Sequence, residues 1–212
     1  MRADALNAFE PRKTPVQTRA AVTVEAISEA TIQVLLSQGA DRLTTTRVAE
    51  RAGVSVGTLY QYYPNKESLL FAVLEDHLDK VTAAVETACE QASHKPLSEM
   101  IRTVVEAFVD AKMERTDISV ALYQIAANVG GPALIKKAGQ RQRKAMEAMF
   151  QTAPDTESQP NRFAIDMMRS AMAGAMPSVL EAGPSPTMVR KLREHLVLLC
   201  QSYMAAATSS RP

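Results

Sequence analysis

Apolar residues recur at spacings of three and four along almost the whole 212-residue chain. This period matches the α-helix, in which side chains three or four positions apart lie on one face. Runs that alternate apolar and polar residues between hairpin turns, the pattern of β-strands, are absent from the sequence. The chain is therefore predicted to be all-α, and its length allows two helical parts.

The bulk composition excludes several classes of protein. With 46% apolar and 22% charged residues, the chain has the composition of a folded, soluble protein. Its net charge of +1 gives no overall attraction to nucleic acid, so any DNA site must be local. The longest purely aliphatic runs, such as LVLL at Leu196 to Leu199, fall far short of the roughly 20 residues of a membrane-spanning helix, and the N-terminus lacks the apolar core of a signal peptide. We expect a cytoplasmic protein without membrane association, in which Cys89 and Cys200 are buried, reduced thiols.

Capping residues, glycines and prolines predict nine helices. A charged tail precedes the first helix, which carries Val22, Ile27, Val34 and Leu35 and stops at Gly39. Two very short helices follow. The predicted starts of the later helices are marked by Thr44 or Thr45, Ser55, Asn65, Pro96, Thr116, Pro132, Pro160 and Pro186.

The stretch TTTRVAERAGVSVGTLYQYYPNKESLL, residues 44–70, is the most specific pattern in the chain. Two helices of about two turns each are joined at Gly53, as in a helix-turn-helix. Burial of Leu59 would turn Tyr60 and Gln61 outward. A tyrosine can pack against a sugar while its hydroxyl bonds a phosphate oxygen, so this face suits a DNA backbone.

Three neighbouring residues complete this interpretation. Tyr62 has the same chemistry as Tyr60, and Lys66 adds a charge at the start of the next helix. Tyr63, just before a proline, is expected to pack beneath that helix instead. The alternative is that Tyr60, Tyr62 and Lys66 are ordinary helix surface.

At these residues the sequence resembles the DNA-binding head of the TetR family of bacterial transcriptional regulators. The resemblance is carried by AGVS, GTLY and the pair Lys66 and Glu67, and it extends over about residues 19–78. It implies a homodimer of nine-helix subunits that binds a palindromic DNA operator and releases it when a small molecule enters the C-terminal domain. It also implies contacts to bases from Thr46, Val56, Gly57 and Tyr60, and contacts to phosphates from Thr45, Arg47, Thr58, Tyr62 and Lys66.

Two of these positions depart from direct base recognition. Val56 and Gly57 offer no hydrogen-bonding side chain, so Gln61, Arg47, methyl contacts and DNA shape are expected to contribute to base discrimination. The predicted organisation is a flexible tail over 1–16, a helix-turn-helix DNA-binding domain over 17–64, a helical ligand-binding and dimerisation domain over 65–207, and a tail over 208–212.

The second half of the chain shows no catalytic or metal-binding pattern, and no cofactor is predicted. The three histidines lack the spacing of metal ligands. Methionines are frequent there, and flexible thioethers suit an adaptable apolar pocket, although plain core filling is the alternative. The predicted effector pocket is lined by Phe108, Met113, Leu122, Tyr123, Met168 and Met172, with His77 or Asn128 as a polar group.

The last two predicted helices are strongly apolar and suit a dimer interface, with simple intrachain packing as the alternative. The predicted interface residues are Met167, Ala171, Gly174, Ala175, Leu192, Leu196, Leu199 and Tyr203. The basic run KKAGQRQRK, residues 136–144, could recognise an anion, but a solvated helix face is favoured. The leading hypothesis is a ligand-responsive repressor; the alternative is an all-helical carrier or enzyme without DNA binding.

Overall fold

The computed structural model describes residues 18–156 and 158–209, and within these ranges the chain is helical and has no β-strand. The all-α prediction is confirmed. The helices of the described residues are α1 Thr18–Gln38, α2 Thr45–Ala52, α3 Val56–Tyr62, α4 Lys66–Ala92, α5 Leu97–Glu114, α6 Thr116–Ile125, α7 Gly131–Phe150, α8 Arg162–Gly174, α9 Met176–Glu181 and α10 Pro186–Thr208, with a short 3-10 turn at Ala126–Asn128. The predicted tail over 1–16 lies outside the described residues.

The nine predicted helices are all present, but the eighth is divided. Its two parts, α8 and α9, are separated by Ala175. Pro177 lies in the first turn of α9, where its missing N–H and its ring interrupt the hydrogen bonds of a continuous helix. The break therefore has a local chemical cause.

Side chains cap the short helices at the predicted positions. Thr44 Oγ1 accepts a hydrogen bond from the Arg47 amide at the start of α2, at 3.3 Å. Ser55 Oγ accepts from the Thr58 amide at the start of α3, at 2.9 Å. Asn65 Oδ1 accepts from the Ser68 amide at the start of α4, at 2.8 Å. Each cap satisfies an amide that has no partner within its helix, which matters most for helices as short as α2 and α3.

The chain divides into two compact units. Among the described residues, unit 1 comprises 18–78 together with Asp117–Ile135, and unit 2 comprises Asp79–Thr116 and the described residues from Lys136 to 209. Helix α4 contributes its first half to unit 1 and its second half to unit 2. The predicted domain boundary lies after residue 64, at the end of the helix-turn-helix. Unit 1 instead continues to Leu78 and also includes Asp117–Ile135.

The core of unit 1 explains that extension. Side chains from α1, α2 and α3 share one apolar cluster with the first part of α4 and with α6. Its members include Ile27, Val48, Leu59, Leu70 and Leu122. Because α2 and α3 are too short to be stable alone, this shared burial is what holds them in place.

Unit 2 has a core of its own, to which every one of its helices contributes. Its fully buried side chains include Met100, Val104, Met146, Ile165, Met168 and Met204. Cys89 and Cys200 are buried and unpaired, as predicted, and burial raises the pKa of their thiols to about 12 and about 11. The thiols therefore remain protonated near neutral pH.

Among unbroken helices of the described residues, α1 is long and apolar enough, by length and composition, to cross a membrane. Its apolar residues have another explanation. Ile27, Ala30, Val34 and Leu35 are buried in the unit 1 core, so the stretch has the character of a core helix.

Candidate nucleic-acid interface

The turn between α2 and α3 is made by Gly53. This residue has φ 68°, in the left-handed region that glycine adopts without steric cost. The Gly53 amide donates to the Glu50 carbonyl, and the Val54 amide donates to the Ala49 carbonyl at 3.0 Å. These bonds end α2 and direct the chain into α3, which gives the helix-turn-helix geometry.

The inner side of the two short helices is fully buried. Val48 and Ala49 of α2 and Leu59 of α3 have almost no exposed surface. Ala49 has no bulk beyond Cβ and allows close packing of the helices. With Leu59 inside, the next residue along α3 is turned to the surface.

Tyr60 occupies that surface position. Its side chain is 44% exposed, and its hydroxyl shares a hydrogen bond with Thr45 Oγ1 of α2, at 3.1 Å. Two hydroxyls from different helices are thus held together on the outside of the molecule. Thr46, Gly57 and Gln61 are also exposed, while Thr58 is half-buried and its hydroxyl bonds Ser55 Oγ at 2.8 Å.

The other two tyrosines of the segment differ from Tyr60. Tyr63 is 3% exposed, as predicted, and burial, with a smaller effect from Asp76, raises its pKa to about 12. Tyr62 is half-buried and packs against the unit 1 core, and Val56 does the same. Tyr62 and Val56 therefore present only part of their side chains to the surface.

Lys66 is the first residue of α4 and is partly exposed. Asn65, just before it, and Ser68, two residues after it, form reciprocal hydrogen bonds. The Ser68 amide donates to Asn65 Oδ1 at 2.8 Å, and the Asn65 amide donates to Ser68 Oγ at 3.3 Å. This capping arrangement fixes the backbone from which the Lys66 side chain extends.

Arg47 lies on a different side of α2. Two positions after Thr45, it is turned by about 200° around the helix axis. Its guanidinium donates to Gln38 Oε1 at 2.8 Å and to the Arg42 carbonyl at 2.7 Å. The structure therefore does not bring Arg47 together with Tyr60, and its predicted phosphate contact remains a prediction.

A groove of about 480 Å³ between α1 and α2 was not predicted from the sequence. Arg51 donates there from Nε to Gln33 Oε1 at 2.6 Å. Arg47 and Arg51 share this side because they are four positions apart on one helix. The Arg-x-x-x-Arg spacing of Arg47 and Arg51 was the sequence signal from which this groove could have been predicted.

Two family models match the chain. One described as "Bacterial regulatory proteins, tetR family" matches residues 27–73, which contain the helix-turn-helix. One described as "Tetracyclin repressor-like, C-terminal domain" matches residues 96–204, more than half of the chain. The chain belongs to the TetR family. This is a family of DNA-binding transcriptional regulators, and the recognition made from residues 44–70 is confirmed.

Curated relatives of the helix-turn-helix type match over limited segments. The transcriptional activator FasR of Mycolicibacterium smegmatis is 33% identical over 78 residues, which cover 37% of this chain and 35% of that protein. The transcriptional repressor KstR of the same organism is 37% identical over 62 residues, covering 29% and 30%. The chain thus spans about a third of the length of these relatives, which include both an activator and a repressor.

Solved structures of regulators, one of them described as TetR-family, match over most of the chain. A regulator from Mesorhizobium loti has a TM-score of 0.75 at 18% identity and covers 91% of this chain and 100% of its own. The fatty acid degradation regulator FadR of Bacillus halodurans has a TM-score of 0.64 at 15% identity, covering 87% and 96%. At these identities the likeness shows the fold.

The predicted effector-pocket residues divide between the two units. His77, Leu122, Tyr123 and Asn128 belong to unit 1, whereas Phe108, Met113, Met168 and Met172 belong to unit 2. His77 is buried, with Nε2 at 3.2 Å from Ser119 Oγ, whereas Asn128 is exposed. Phe108, Leu122, Met168 and Met172 are buried, and burial raises the pKa of Tyr123 above its ordinary value. The pocket itself remains a prediction.

The predicted dimer residues of this TetR-family chain differ in exposure. Met167 of α8 and Leu199 of α10 are about half exposed. Leu196 is 4% exposed and packs inside unit 2, whereas Leu198 and Leu199 of the same helix are 60% and 53% exposed. Phe163 and Leu198, which were not in the predicted set, are the most exposed apolar side chains of α8 and α10. Gly174 is exposed, and Ala171, Ala175, Leu192 and Tyr203 are half-buried.

Within the described parts of the chain, no group of three or more histidine, cysteine, aspartate or glutamate side chains is arranged to hold a metal ion.

Proposed function

We propose that this protein is a ligand-responsive transcriptional repressor in the cytoplasm. In this proposal a homodimer binds a palindromic operator and is released from it by a small apolar effector. The observation that carries the proposal is the exposed hydroxyl pair of Tyr60 and Thr45, displayed on a helix-turn-helix whose apolar side is completely buried.

Each exposed group of the head has a role in the proposed complex. The hydroxyl of Thr45 and the ammonium of Lys66 bond phosphate oxygens and fix the register of the head on the duplex. Tyr60 combines a phosphate contact through its hydroxyl with a contact of its ring to an adjacent base. Thr46 and Gln61 are the exposed polar side chains available to base edges in the major groove. Gly57 has no side chain, which allows the backbone of α3 to approach the DNA closely.

The dimer is proposed to form through α8 and α10, which pack against each other in unit 2. These helices carry four exposed apolar side chains, those of Phe163, Met167, Leu198 and Leu199. Large exposed apolar patches on soluble proteins mark interaction surfaces. Twofold symmetry would place two heads in successive major grooves, ~34–36 Å apart on B-DNA.

The effector is proposed to act by population shift. A ligand that binds better to subunits whose head spacing does not fit two half-sites lowers the affinity for DNA. Such coupling typically amounts to ~1–3 kcal/mol, or roughly 5- to 150-fold in affinity. The buried methionines of unit 2 support an apolar effector, because thioethers adapt to guests of different shapes.

Repression is the simpler of the two regulatory outcomes. A dimer that covers promoter DNA excludes polymerase by occupancy alone, whereas activation requires a further productive contact with the transcription machinery. Transcription in vitro from a promoter that overlaps the operator decides between them: a repressor lowers transcript yield, and the effector restores it.

DNA binding is tested by gel shift or anisotropy with the intergenic DNA beside the protein's own gene. We expect a saturable complex that weakens with salt, with a log-log slope of about −0.9 for each phosphate contact. Lys66→Ala should lower affinity equally for all sequences and reduce the slope by about one contact, whereas Tyr60→Ala should also reduce the preference for the operator.

Two outcomes would contradict the proposal. An all-helical carrier or enzyme would give no saturable complex at any salt concentration. A matched control is Ile135→Ala, which removes a side chain of unit 1 with nearly the same exposure as Tyr60, 45% against 44%. If this variant lost DNA affinity as strongly as Tyr60→Ala, the α3 tyrosine would have no special role.

A further inference from the structure

Charged side chains of α7 and α8 meet in unit 2 and, together with one glycine of α7, form what we call the arginine cluster. Three members lie every fourth residue along one face of α7, and three more lie on one face of α8. The members are Gly139, Arg143 and Glu147 of α7 and Arg162, Asp166 and Arg169 of α8. The basic run 136–144, which was favoured as a solvated face, therefore places one arginine in a largely buried position.

Gly139 makes room for one of these arginines. A Cβ atom at Gly139 would stand 2.6 Å from Arg169 Nη1 and 2.8 Å from Arg169 Cζ, closer than any real contact. The guanidinium of Arg169 thus occupies the space that a side chain on α7 would fill. A glycine inside a helix lowers stability by about 1 kcal/mol relative to alanine. The contacts of the Arg169 guanidinium must offset this loss.

The guanidinium groups of the cluster are held by ion pairs that lack hydrogen-bond geometry, and the shortest of these joins Arg143 Nε to Glu147 Oε1 at 3.3 Å. Asp166 lies among the three arginines, but its oxygens are 3.7 Å from Arg143 Nη1, 3.9 Å from Arg162 Nε and 3.9 Å from Arg169 Nε. These distances exceed those of hydrogen bonds. The Nε atoms of Arg143 and Arg169 are buried and have no hydrogen-bond partner among the described residues.

Arg141 provides an internal comparison, because it lies only two positions from Arg143. It makes hydrogen bonds to both oxygens of Glu86, at 3.1 and 2.7 Å, and to Asp79 at 2.6 Å. Its side chain is 40% exposed, whereas that of Arg143 is 18% exposed. A structural ion pair needs its hydrogen bonds more as it becomes more buried, so the more buried arginine should be the better satisfied. The reverse is observed.

We propose that the arginine cluster is a binding site for an oxyanion, namely a phosphate or sulfate group that is free or part of a metabolite. Three guanidinium groups face two carboxylates, which leaves one formal positive charge. A guanidinium offers parallel N–H donors that match an oxyanion, and Arg162, with a side chain 72% exposed, lies at the open side. Asp166 competes with the incoming anion for the same donors. The site shares no residue with the proposed apolar pocket and does not depend on the proposed function.

The test titrates the full-length protein with inorganic phosphate, and separately with sulfate and acetate, against chloride at constant ionic strength. Calorimetry measures binding, and circular dichroism measures the melting temperature. We expect saturable binding of phosphate and sulfate with a rise in melting temperature. If neither phosphate nor sulfate bound saturably, the proposal would be overturned. Equal stabilisation by chloride would also overturn it.

Variants assign any binding to the cluster. Arg143→Gln and Arg169→Gln should each weaken phosphate binding about tenfold, the effect of losing one charge-assisted hydrogen bond. The control is Arg102→Gln, which changes an exposed arginine of α5 that lies 3.8 Å from Glu106. It should bind phosphate as the wild type does, and an equal loss in this variant would refute the assignment.

Asp166→Asn provides a test that a folding defect cannot imitate. Removal of the competing carboxylate should tighten phosphate binding about tenfold, since one fewer negative charge faces the anion. Gly139→Ala should act in the opposite direction, because the added Cβ displaces the Arg169 guanidinium. Unchanged or weaker binding by Asp166→Asn would show that the cluster is a structural network and not an anion site.

Discussion

Lys112 is the most deeply buried of the lysine, arginine, aspartate and glutamate side chains in the described chain. It lies in the last turn of α5 and is 6% exposed. Burial disfavours the ammonium form and lowers its pKa from 10.5 to about 8. The TetR-family chain therefore contains a lysine that changes charge in mildly alkaline solution.

This shift predicts a particular dependence of stability on pH. The pKa of Lys112 is lower in the folded than in the unfolded state, so the unfolded state binds more protons between about pH 8 and 10.5. The free energy of unfolding therefore rises with pH across this interval. Between about pH 7.5 and 9.5, the wild type should gain on the order of 1–2 kcal/mol relative to Lys112→Met.

Urea unfolding of both proteins at the two pH values measures this difference. Tyr63, Cys89 and Cys200 have raised pKa values and lose stabilisation as the pH rises, but they are common to both proteins and cancel. A stability difference that stays constant with pH would contradict the prediction.

Single residues also show where sequence reasoning succeeds and where it stops. The helical period placed Tyr60 outside, because burial of Leu59 determines the orientation of the next residue, and the position of Tyr63 just before Pro64 indicated that it packs inside. The hydrogen bonds of Arg47 to Gln38 and Arg42 could not be predicted in the same way. They depend on how α1 and α2 pack, which the local pattern does not contain.

At the level of elements, two glycines of the helix-turn-helix should respond oppositely to alanine. Gly53 has φ 68°, and a Cβ there meets no atom within 4 Å, so Gly53→Ala should cost about 1–2 kcal/mol through backbone strain alone. Gly57 is helical, and its nearest neighbour would be Ser55 Oγ at an ordinary 3.7 Å. Gly57→Ala should therefore stabilise unit 1 by up to about 1 kcal/mol.

Gly57→Ala should nevertheless weaken operator binding if the backbone of α3 lies against the DNA. Thermal unfolding and anisotropy on the two variants separate the effects. Gly53→Ala should lower the melting temperature, while Gly57→Ala should raise it and lower DNA affinity. Full DNA affinity in a stabilised Gly57→Ala protein would place the DNA away from this residue.

Most elements could be predicted because their ends carry local signals. The caps at Thr44, Ser55 and Asn65 each make the expected hydrogen bond. The division at Ala175 was missed although Pro177 was visible, because the apolar stripe continues across it with helical spacing. The arginine cluster could not be predicted at all, since it requires α7 and α8 to meet with a particular register.

The whole molecule is proposed to work as a dimer, and the exposed apolar side chains of α8 and α10 allow a direct test. Phe163 is 71% exposed and Leu199 is 53% exposed. A glutamate at either position would bring a charge into the interface, which costs several kcal/mol when no partner neutralises it. Phe163→Glu and Leu199→Glu should therefore be monomeric in analytical ultracentrifugation. The control is Ile135→Glu, at an apolar position in unit 1 that is 45% exposed, which should leave the dimer intact.

Loss of the dimer should reduce affinity for a palindromic operator far more than affinity for a half-site. When two heads are joined, binding of the second head becomes intramolecular, and the resulting avidity can reach 10²–10⁴-fold. A monomeric variant with an intact head keeps the half-site affinity of the wild type and loses only this gain. Fluorescence anisotropy on the two DNA lengths therefore distinguishes a damaged interface from a damaged head. A dimeric Leu199→Glu protein with full operator affinity would mean that the subunits associate through another surface.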